Sequence, residues 1–337
     1  MTSKNVKPKK IILFIAALIL LLLWARKPEQ LGAAYSETEF LMDTLVTITV
    51  RGVGEEDAKT YVRAAFDEMG AVDEEMARRE GTPLYKLNKA GGGALSQSMA
   101  TVIAASIHWA EASGGAFDPT VAPLIDLWRV KDEPHPPPAA EDIADLLTGV
   151  GYLAVSFGAD EKSIELNGRV LDLGGVAKGY AIDRAVKVLK DAGVGNFIVN
   201  AGGDLFVKGD KGERPWRVGI AHPRKPGELF AIVEPREGAM VTSGDYERYF
   251  IWEGKRYHHI IDPKSGYPAE GISSVTVTAP TAMAADAVAT AVFILGAEQG
   301  LAFLEGTQGA EGMVISSTGE AVKSSGFDHA APEASSR

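Results

Sequence analysis

The pair of residues best suited to hold a hard metal ion lies in an apolar stretch, AMAADAVATAVFILG, at residues 282–296. Asp286 and Thr290 are four residues apart, so on a helix they share one face. A carboxylate among Ala, Val, Phe, Ile and Leu is costly to bury unless it is paired or metal-bound. Carboxylate and hydroxyl oxygens suit Mg²⁺ better than Zn²⁺. The alternative is a helix capped by Thr281 with Asp286 on its exposed side.

A second candidate is the glycine-rich segment DLGGVAKGYAID, residues 172–183. It fits neither the Walker loop nor the dinucleotide fingerprint, because its glycines and lysine are wrongly spaced. Gly174 and Gly175 still allow a backbone to approach a ligand closely. The helix that follows presents free N–H groups to an anion, and Lys178 is placed to contact a phosphate or a ring edge. The alternative is a tight strand-to-helix turn with an exposed lysine.

The segment RYHHIIDPKSGYP carries the candidate proton acceptor. In a strand, His258 and His259 point in opposite directions, so one of them can face a cavity as a general base. The alternative is a strand histidine whose role is a structural hydrogen bond. The remaining histidines, at positions 108, 135, 222 and 329, lack the spacing of a zinc site.

Two further segments could contact a ligand. In GGAFDPTVAPL, residues 114–124, Phe117 offers a stacking face and Asp118 before a proline fixes a turn. This segment also fits an ordinary helix–loop junction. Met42 begins a strand, where a methionine is either a ligand contact or part of the core.

These residues must be positioned by a mixed set of helices and strands. Apolar periodicity predicts helices over residues 55–79, 98–113, 181–192 and 282–295, and a short helix from residue 140. Strands are predicted from Phe40 and in closely spaced runs that include FIVN, DLFVKG, WRVGIAH, FAIVEP, AMVTSG, RYFIW and SSVTVTAP. Clustered strands with flanking helices predict an α+β fold with antiparallel sheets.

Composition excludes several functional classes. The chain of 337 residues has a formal net charge of −11 and a pI near 5.1, which argues against a nucleic-acid partner. It has no cysteine, so disulfides, thiolate nucleophiles, cysteine-bound metals and a lipid-modified cysteine are all excluded.

The N-terminus resembles an export signal. Four lysines precede the unbroken apolar run IILFIAALILLLLW at residues 11–24, and Arg26 and Lys27 follow it. LGAA at residues 31–34 offers a cleavage site, and an uncleaved anchor in the cytoplasmic membrane is the alternative. Either way, the positive-inside rule places the rest of the chain outside the cytoplasm. The sequence therefore divides into a signal or anchor with linker (1–36), a folded domain (37–325) and a disordered tail (326–337).

The order of these motifs is more specific than any one of them. MDT, GGAFDPTV, LDLGGVAKGYAID, NAGGDL, VTSGDYERYF, HHIIDPKSG and ADAVATAVFILG occur in that order between about Phe40 and Ile315. This set resembles the ApbE family of FAD:protein FMN transferases. The resemblance implies a T-fold-like α+β domain that uses FAD as substrate and binds Mg²⁺. It also implies transfer of FMN to a Thr or Ser hydroxyl of a target flavoprotein, such as a subunit of a membrane redox complex, with release of AMP on the periplasmic side of the bacterial membrane.

The resemblance also assigns roles to individual residues. It makes His259 the general base for the acceptor hydroxyl. The metal site would comprise Asp286, Thr290, the Gly175 carbonyl and the neighbouring Ala289. The flavin and nucleotide contacts would be Met42, Ala116, Phe117, Asp118, Asp172, Lys178 and Ile260.

One segment departs from the family pattern. The family often has an aromatic residue before its Leu-Asn pair, whereas MARREGTPLYKLN here has Arg78, Arg79 or Glu80 in that place. One wall of the flavin site is therefore not assigned from the sequence. Two other functions remain as alternatives: an FAD pyrophosphatase, in which water replaces the acceptor, and a non-catalytic flavin-binding membrane protein.

Overall fold

The computed structural model describes residues 33–159, 161–212, 214–235 and 237–331. The helices are α1 (Glu55–Met76), α2 (Pro83–Ala90), α3 (Gln97–Ala112), α4 (Ala122–Trp128), α5 (Ala140–Leu147), α6 (Ala177–Asp191), α7 (Ala282–Gly306) and α8 (Phe327–Ala330). The first eight strands are β1 (Tyr35–Leu41), β2 (Thr44–Arg51), β3 (Gly92–Ala94), β4 (Ser156–Phe157), β5 (Ser163–Glu165), β6 (Asn196–Ala201), β7 (Asp204–Lys208) and β8 (Val218–Ala221). The others are β9 (Leu229–Val233), β10 (Gly238–Gly244), β11 (Tyr249–Trp252), β12 (Lys255–His258), β13 (Ile272–Ala279), β14 (Glu311–Ser316) and β15 (Ala321–Lys323).

The centre of the fold is an eight-stranded sheet in the order β1-β2-β6-β7-β10-β13-β14-β15. Every neighbouring pair in it is antiparallel. β13 is an interior strand, and all eight of its residues are buried, which explains its continuous apolar and small-polar sequence ISSVTVTA. The predicted α+β class with antiparallel sheets flanked by helices is confirmed.

Three helices cover the sheet and carry most of the core. Along α1, apolar residues recur every three or four positions, including Ala58, Val62, Phe66 and Met69, and these side chains are buried. α1 packs on α6, and α6 packs on α7, which lies against β10, β13 and β14. The helices that carry the candidate site residues are therefore held by the best-packed part of the molecule.

α7 is the most apolar helix and contains Asp286 and Thr290. Within the described residues it is the one helix with the length and hydropathy to cross a membrane, with a mean hydropathy of 1.7. Its position against the sheet accounts for that composition, since its N-terminal half is almost wholly buried. The predicted stop at Gly296 is visible as a break in the helix, where φ is 83°.

A smaller cluster of aromatic and apolar side chains lies beside the sheet. The β11–β12 hairpin presents Phe250 and Tyr257, whose rings stack with a centroid distance of 5.3 Å. Tyr257 stacks in turn on Trp128 of α4 at 5.4 Å. The indole nitrogen of Trp128 donates to the Gly266 carbonyl at 2.8 Å, which ties this hairpin and α4 to the turn after the two histidines.

Two expectations are corrected. The helix predicted from residue 181 begins at Ala177, because Ala177 is buried in the core and Gly179 packs against the start of α7. The segment predicted to be a disordered tail begins with a short helix, α8, whose Phe327 is buried against the sheet. The apolar run at residues 11–24 lies outside the described residues.

Candidate active site

A cavity of about 630 Å³ is lined by most of the residues singled out in the sequence. Its walls come from the β1–β2 turn, the end of α1, α4, the residues around the start of α6, the β10–β11 connection, the residues after β12, and α7. Among the candidate residues, it is lined by Met42, Phe117, Asp118, Asp172, Gly175, Lys178, His259, Ile260, Asp286 and Thr290. Segments far apart in the chain thus meet at one site.

The starts of α6 and α7 are locked together at the base of this cavity. Asp183 of α6 accepts hydrogen bonds from the Ala282 and Met283 amides at 2.7 and 2.9 Å, so it caps α7. In return, the Gly179 amide donates to Asp286 Oδ2 at 3.1 Å. A Cβ on Gly179 would lie 2.3 Å from the Ala282 carbonyl oxygen, so only glycine permits this contact.

The carboxylate of Asp286 is buried, and Thr290 follows it one turn further along α7. Thr281 does cap α7 through the Ala284 amide, yet Asp286 is 5% exposed, so it is not the surface residue of the alternative interpretation. Burial raises the pKa of Asp286, and the nearby Lys178 ammonium opposes that shift. A bound cation would stabilise the ionised carboxylate further.

Gly175 lies between Phe117 and Thr290. A Cβ added to Gly175 would be 2.9 Å from Phe117 Cε2 and 3.6 Å from Thr290 Oγ1. A side chain there would fill the space beside the Thr290 hydroxyl, and glycine leaves it open. One carboxylate, one hydroxyl and a backbone carbonyl fit Mg²⁺, which normally keeps ligand and water oxygens in its remaining positions. Among the described residues no cluster of three or more His, Cys, Asp or Glu side chains could hold a metal alone.

Lys178 supplies positive charge beside this oxygen set. Its ammonium forms an ion pair with Asp204, whose other oxygen accepts the Thr242 amide at 3.0 Å. Burial alone lowers the pKa of Lys178, but the carboxylates of Asp204, Asp286 and Glu247 raise it above its ordinary value. Lys178 therefore stays charged and faces a cavity in which an anionic ligand would meet it.

His259 and His258 have opposite environments, as their alternation predicts. His258 is buried, with Nε2 2.8 Å from the Ala269 carbonyl oxygen, and its Nδ1 accepts the Ile260 amide at 3.3 Å. His259 lines the cavity, and its Nδ1 lies 3.3 Å from the Arg248 carbonyl oxygen. That contact is a hydrogen bond when Nδ1 carries the proton, which leaves the lone pair on Nε2.

Burial and the Arg248 charge keep His259 neutral. Together they lower its pKa to about 3, with burial the larger cause. A neutral imidazole can accept a proton, and an anionic ligand in the cavity would raise the pKa of His259 and strengthen it as a base. The arrangement combines a proton acceptor, a fixed cation and oxygen donors for a metal, which suits transfer at a phosphorus centre.

Comparison with known proteins decides the family. A family model described as the ApbE family matches residues 42–314, which is most of the chain. The chain belongs to the ApbE family. The matched range includes every residue that lines the cavity, from Met42 to Ile294.

Relatives and solved structures agree with this membership. An FAD:protein FMN transferase of Treponema pallidum (strain Nichols) is 33% identical over 307 residues, which cover 83% of this chain and 84% of the relative. A crystal structure of the ApbE protein from Thermotoga maritima superposes with a TM-score of 0.81 at 33% identity, covering 88% and 99% of the two chains. The flavin transferase ApbE from Vibrio cholerae gives a TM-score of 0.77 at 27% identity, with the same coverage. By these relatives, the chain is a transferase.

In this ApbE family chain, the carboxylates of Asp118 and Asp172 are hydrogen-bonded to other groups of the protein. Asp118 Oδ1 accepts both the amide and the hydroxyl of Thr120, and its Oδ2 accepts the Tyr152 amide at 3.0 Å. Asp172 binds the Gly174 amide through Oδ1 and Arg78 Nε through Oδ2, at 2.8 and 2.7 Å. Both residues line the cavity, and both shape its wall through these bonds.

The remaining candidate positions differ in how they meet the cavity. Met42 lies in the β1–β2 turn with a left-handed φ of 53°, and Ile260 is nearly buried at the cavity wall. Ala116 and Ala289 are buried and do not line the cavity. The Ala289 methyl offers no ligand atom, so its part at a metal site would be limited to close packing of α7.

The sequence did not single out several polar residues of the cavity. These are Asp126, Asp204, Glu247 and Arg248, while Arg78 was noted only as a departure from the family pattern. Asp204, Glu247 and Arg248 stand within motifs that carried the resemblance, NAGGDL and VTSGDYERYF, so their motifs were the available signal. Desolvation at the cavity wall raises the pKa of Glu247 to about 7, against the opposing effect of Lys178.

Proposed function

We propose that this chain is an Mg²⁺-dependent FAD:protein FMN transferase. It cleaves the pyrophosphate of FAD, attaches FMN through a phosphoester to a Thr or Ser hydroxyl of a target flavoprotein, and releases AMP. The observation that carries the proposal is the meeting of His259 with Asp286, Thr290, Gly175 and Lys178 in one cavity. We infer that the substrate is FAD from the relatives, which are named FAD:protein FMN transferase and flavin transferase.

The metal would be held by Asp286, the Thr290 hydroxyl and the Gly175 carbonyl. When bound, Mg²⁺ supplies positive charge to the pyrophosphate oxygens. Lys178 adds a second cation, fixed in place by Asp204. With charge of this kind in place, the protein's contribution is mainly positioning and electrostatic stabilisation.

His259 provides the proton transfer. Its Nε2 removes the proton from the acceptor hydroxyl as that oxygen forms a bond to the FMN phosphorus. The bond between this phosphorus and the bridging oxygen breaks, and the electron pair leaves with AMP. The proton remains on His259, where the accumulated phosphate charge favours the imidazolium, until solvent removes it.

The direct test mixes the purified protein with FAD, Mg²⁺ and an acceptor flavoprotein. The intact mass of the acceptor should rise by one FMN unit, with one AMP released per adduct. Free FMN and AMP without an adduct would identify an FAD pyrophosphatase instead. Stable FAD binding without any product would identify a flavin-binding protein and would overturn the proposal.

The cellular setting forms part of the same proposal. Residues 11–24 would anchor the protein in the cytoplasmic membrane or direct its export, so that the catalytic domain lies on the periplasmic side. A subunit of a membrane redox complex would then be within reach as acceptor. Fractionation of cells that express the full chain tests this: recovery of the protein only from the cytosol would contradict it.

A further inference from the structure

Arg78 occupies an unusual position at the rim of the cavity. It follows the C-terminal end of α1 and lines the cavity with a side chain that is 22% exposed. Its Nη1 and Nη2 donate to Asp126 Oδ2 and Oδ1, each at 2.9 Å, in a bidentate pair. Its Nε donates to Asp172 Oδ2 at 2.7 Å. Two carboxylates, from α4 and from the segment before α6, thus hold one guanidinium.

These contacts fix the orientation of the guanidinium plane. Hydrogen bonds to a guanidinium lie close to its plane, and here three of its nitrogens point at the two carboxylates. The edges of the group are therefore occupied, so a ring bound in the cavity would meet the guanidinium at a face. A guanidinium face stacks well on an aromatic ring, and a group that is already ordered loses little entropy when it does so.

We propose that Arg78, pinned by Asp126 and Asp172, is a stacking platform for one of the planar heteroaromatic rings of the bound dinucleotide. The inference rests on the proposed function only in taking the ligand to be FAD. It explains why a cavity for a ring-bearing ligand has an arginine at a wall where the family pattern suggested an aromatic side chain. Asp126 is then a positioning residue, which acts on the ligand through Arg78.

The test uses variants of Arg78 that change the planarity and the charge of its side chain separately. Arg78→Lys keeps the charge and loses the plane, Arg78→Tyr keeps a plane and loses the charge, and Arg78→Ala loses both. The matched control is Arg63→Lys, because Arg63 is also held by two carboxylates, those of Glu37 and Glu39, but does not line the cavity. Dissociation constants are measured for riboflavin and adenosine, which carry the two rings, and for inorganic pyrophosphate, which carries neither.

If Arg78 stacks on a ring, its replacement should weaken the binding of only one of the two ring compounds. Arg78→Lys and Arg78→Ala should bind either riboflavin or adenosine about three- to thirtyfold more weakly, while Arg78→Tyr stays near the native affinity. Pyrophosphate binding should be unchanged in Arg78→Lys, and Arg63→Lys should bind all three ligands as the native protein does. If riboflavin is the affected ligand, the quenching of its fluorescence should diminish as well.

Several results would overturn the inference. They are native affinity for both ring compounds in Arg78→Lys, an equal loss for pyrophosphate, or an equal loss in Arg63→Lys. If Arg78→Tyr does not fold, the comparison of the two lysine variants still decides the question. Asp126→Asn should weaken the same ring ligand and should raise the KM for FAD with little change in kcat. Because binding is measured without an acceptor, a failure of FMN transfer would count against the proposed function alone.

Discussion

At the scale of single residues, the function depends on a few groups whose ionisation is set by their surroundings. His259 is neutral because burial and Arg248 lower its pKa, whereas Lys178 stays charged because three carboxylates surround it. The same cavity therefore holds a proton acceptor and a cation at neutral pH. An ordinary histidine and lysine on an open surface would not keep these states so firmly.

The lowered pKa of His259 predicts a pH dependence of stability. In the unfolded chain the imidazole takes up a proton near pH 6.5, whereas in the folded protein it does so only near pH 3. Between these values the unfolded state binds more protons, so the contribution of His259 to stability falls as the pH falls. Relative to His259→Gln, the native protein should lose on the order of 1–2 kcal/mol between pH 6.5 and pH 5. Urea unfolding at both pH values measures this, and parallel curves for the two proteins would contradict it.

Removal of the Asp286 charge should weaken metal binding. Asp286→Asn keeps the volume and an oxygen, but it lacks the anionic oxygen that a hard cation prefers. We expect the Mg²⁺ concentration for half-maximal transfer to rise about tenfold or more, and the stabilisation of the folded protein by added Mg²⁺ to shrink in thermal melts. The control is Thr242→Val, a cavity residue outside the proposed oxygen set. An unchanged Mg²⁺ requirement in Asp286→Asn would remove Asp286 from the metal site.

At the scale of secondary-structure elements, the contact between α6 and α7 positions the oxygen donors. Asp183 caps α7, Asp286 accepts an amide of α6, and Gly179 lets the two backbones touch. The glycine is thus required by a neighbour 103 positions further along the chain, as the numbers of Gly179 and Ala282 show. Its place in a glycine-rich motif reflects helix packing as well as ligand access.

Two helical glycines allow a matched test of this contact. Gly179→Ala would put a Cβ 2.3 Å from the Ala282 carbonyl oxygen, so we expect a loss of about 1–3 kcal/mol in the free energy of unfolding. Gly70→Ala in α1 meets nothing within 4 Å, so helix propensity should make it stabilising by about 0.5–1 kcal/mol. Denaturant titration measures both. Equal effects of the two substitutions would contradict the proposed packing role of Gly179.

At the scale of the whole molecule, the cavity is assembled from segments that are distant in sequence. The lining residues run from Met42 to Ile294 along the sequence, and they come from strands of the large sheet, from helices and from the connections between them. The rigid sheet holds α6 and α7, while the β1–β2 turn, α4 and the end of α1 close the other side. A ligand that bridges the two sides would meet the oxygens of the proposed metal site at one and Arg78 at the other.

Features that depend on neighbouring residues could be predicted from the sequence, whereas those that depend on residues far apart in the chain could not. Apolar periodicity is local, so α1 and α7 and the α+β class were predictable, as was the opposite orientation of His258 and His259. The partners of Arg78 were not, because Asp126 and Asp172 are 48 and 94 residues away. The early start of α6 was missed because local propensity disfavours a helix through glycine, and packing against α7 overrides it. The short helix α8 was missed for a similar reason, since Phe327 packs in a cluster of residues distant in sequence.

The central claim is that His259 removes the proton from an acceptor hydroxyl during FMN transfer, and one measurement tests it most directly. The native protein and His259→Ala are each mixed with FAD, Mg²⁺ and the acceptor flavoprotein, and the intact mass of the acceptor is followed over time. We predict that the native protein adds one FMN, and that the variant does so at a rate about 10²–10⁴-fold lower while its Kd for FAD changes by less than about threefold. Transfer by His259→Ala at the native rate would contradict the account.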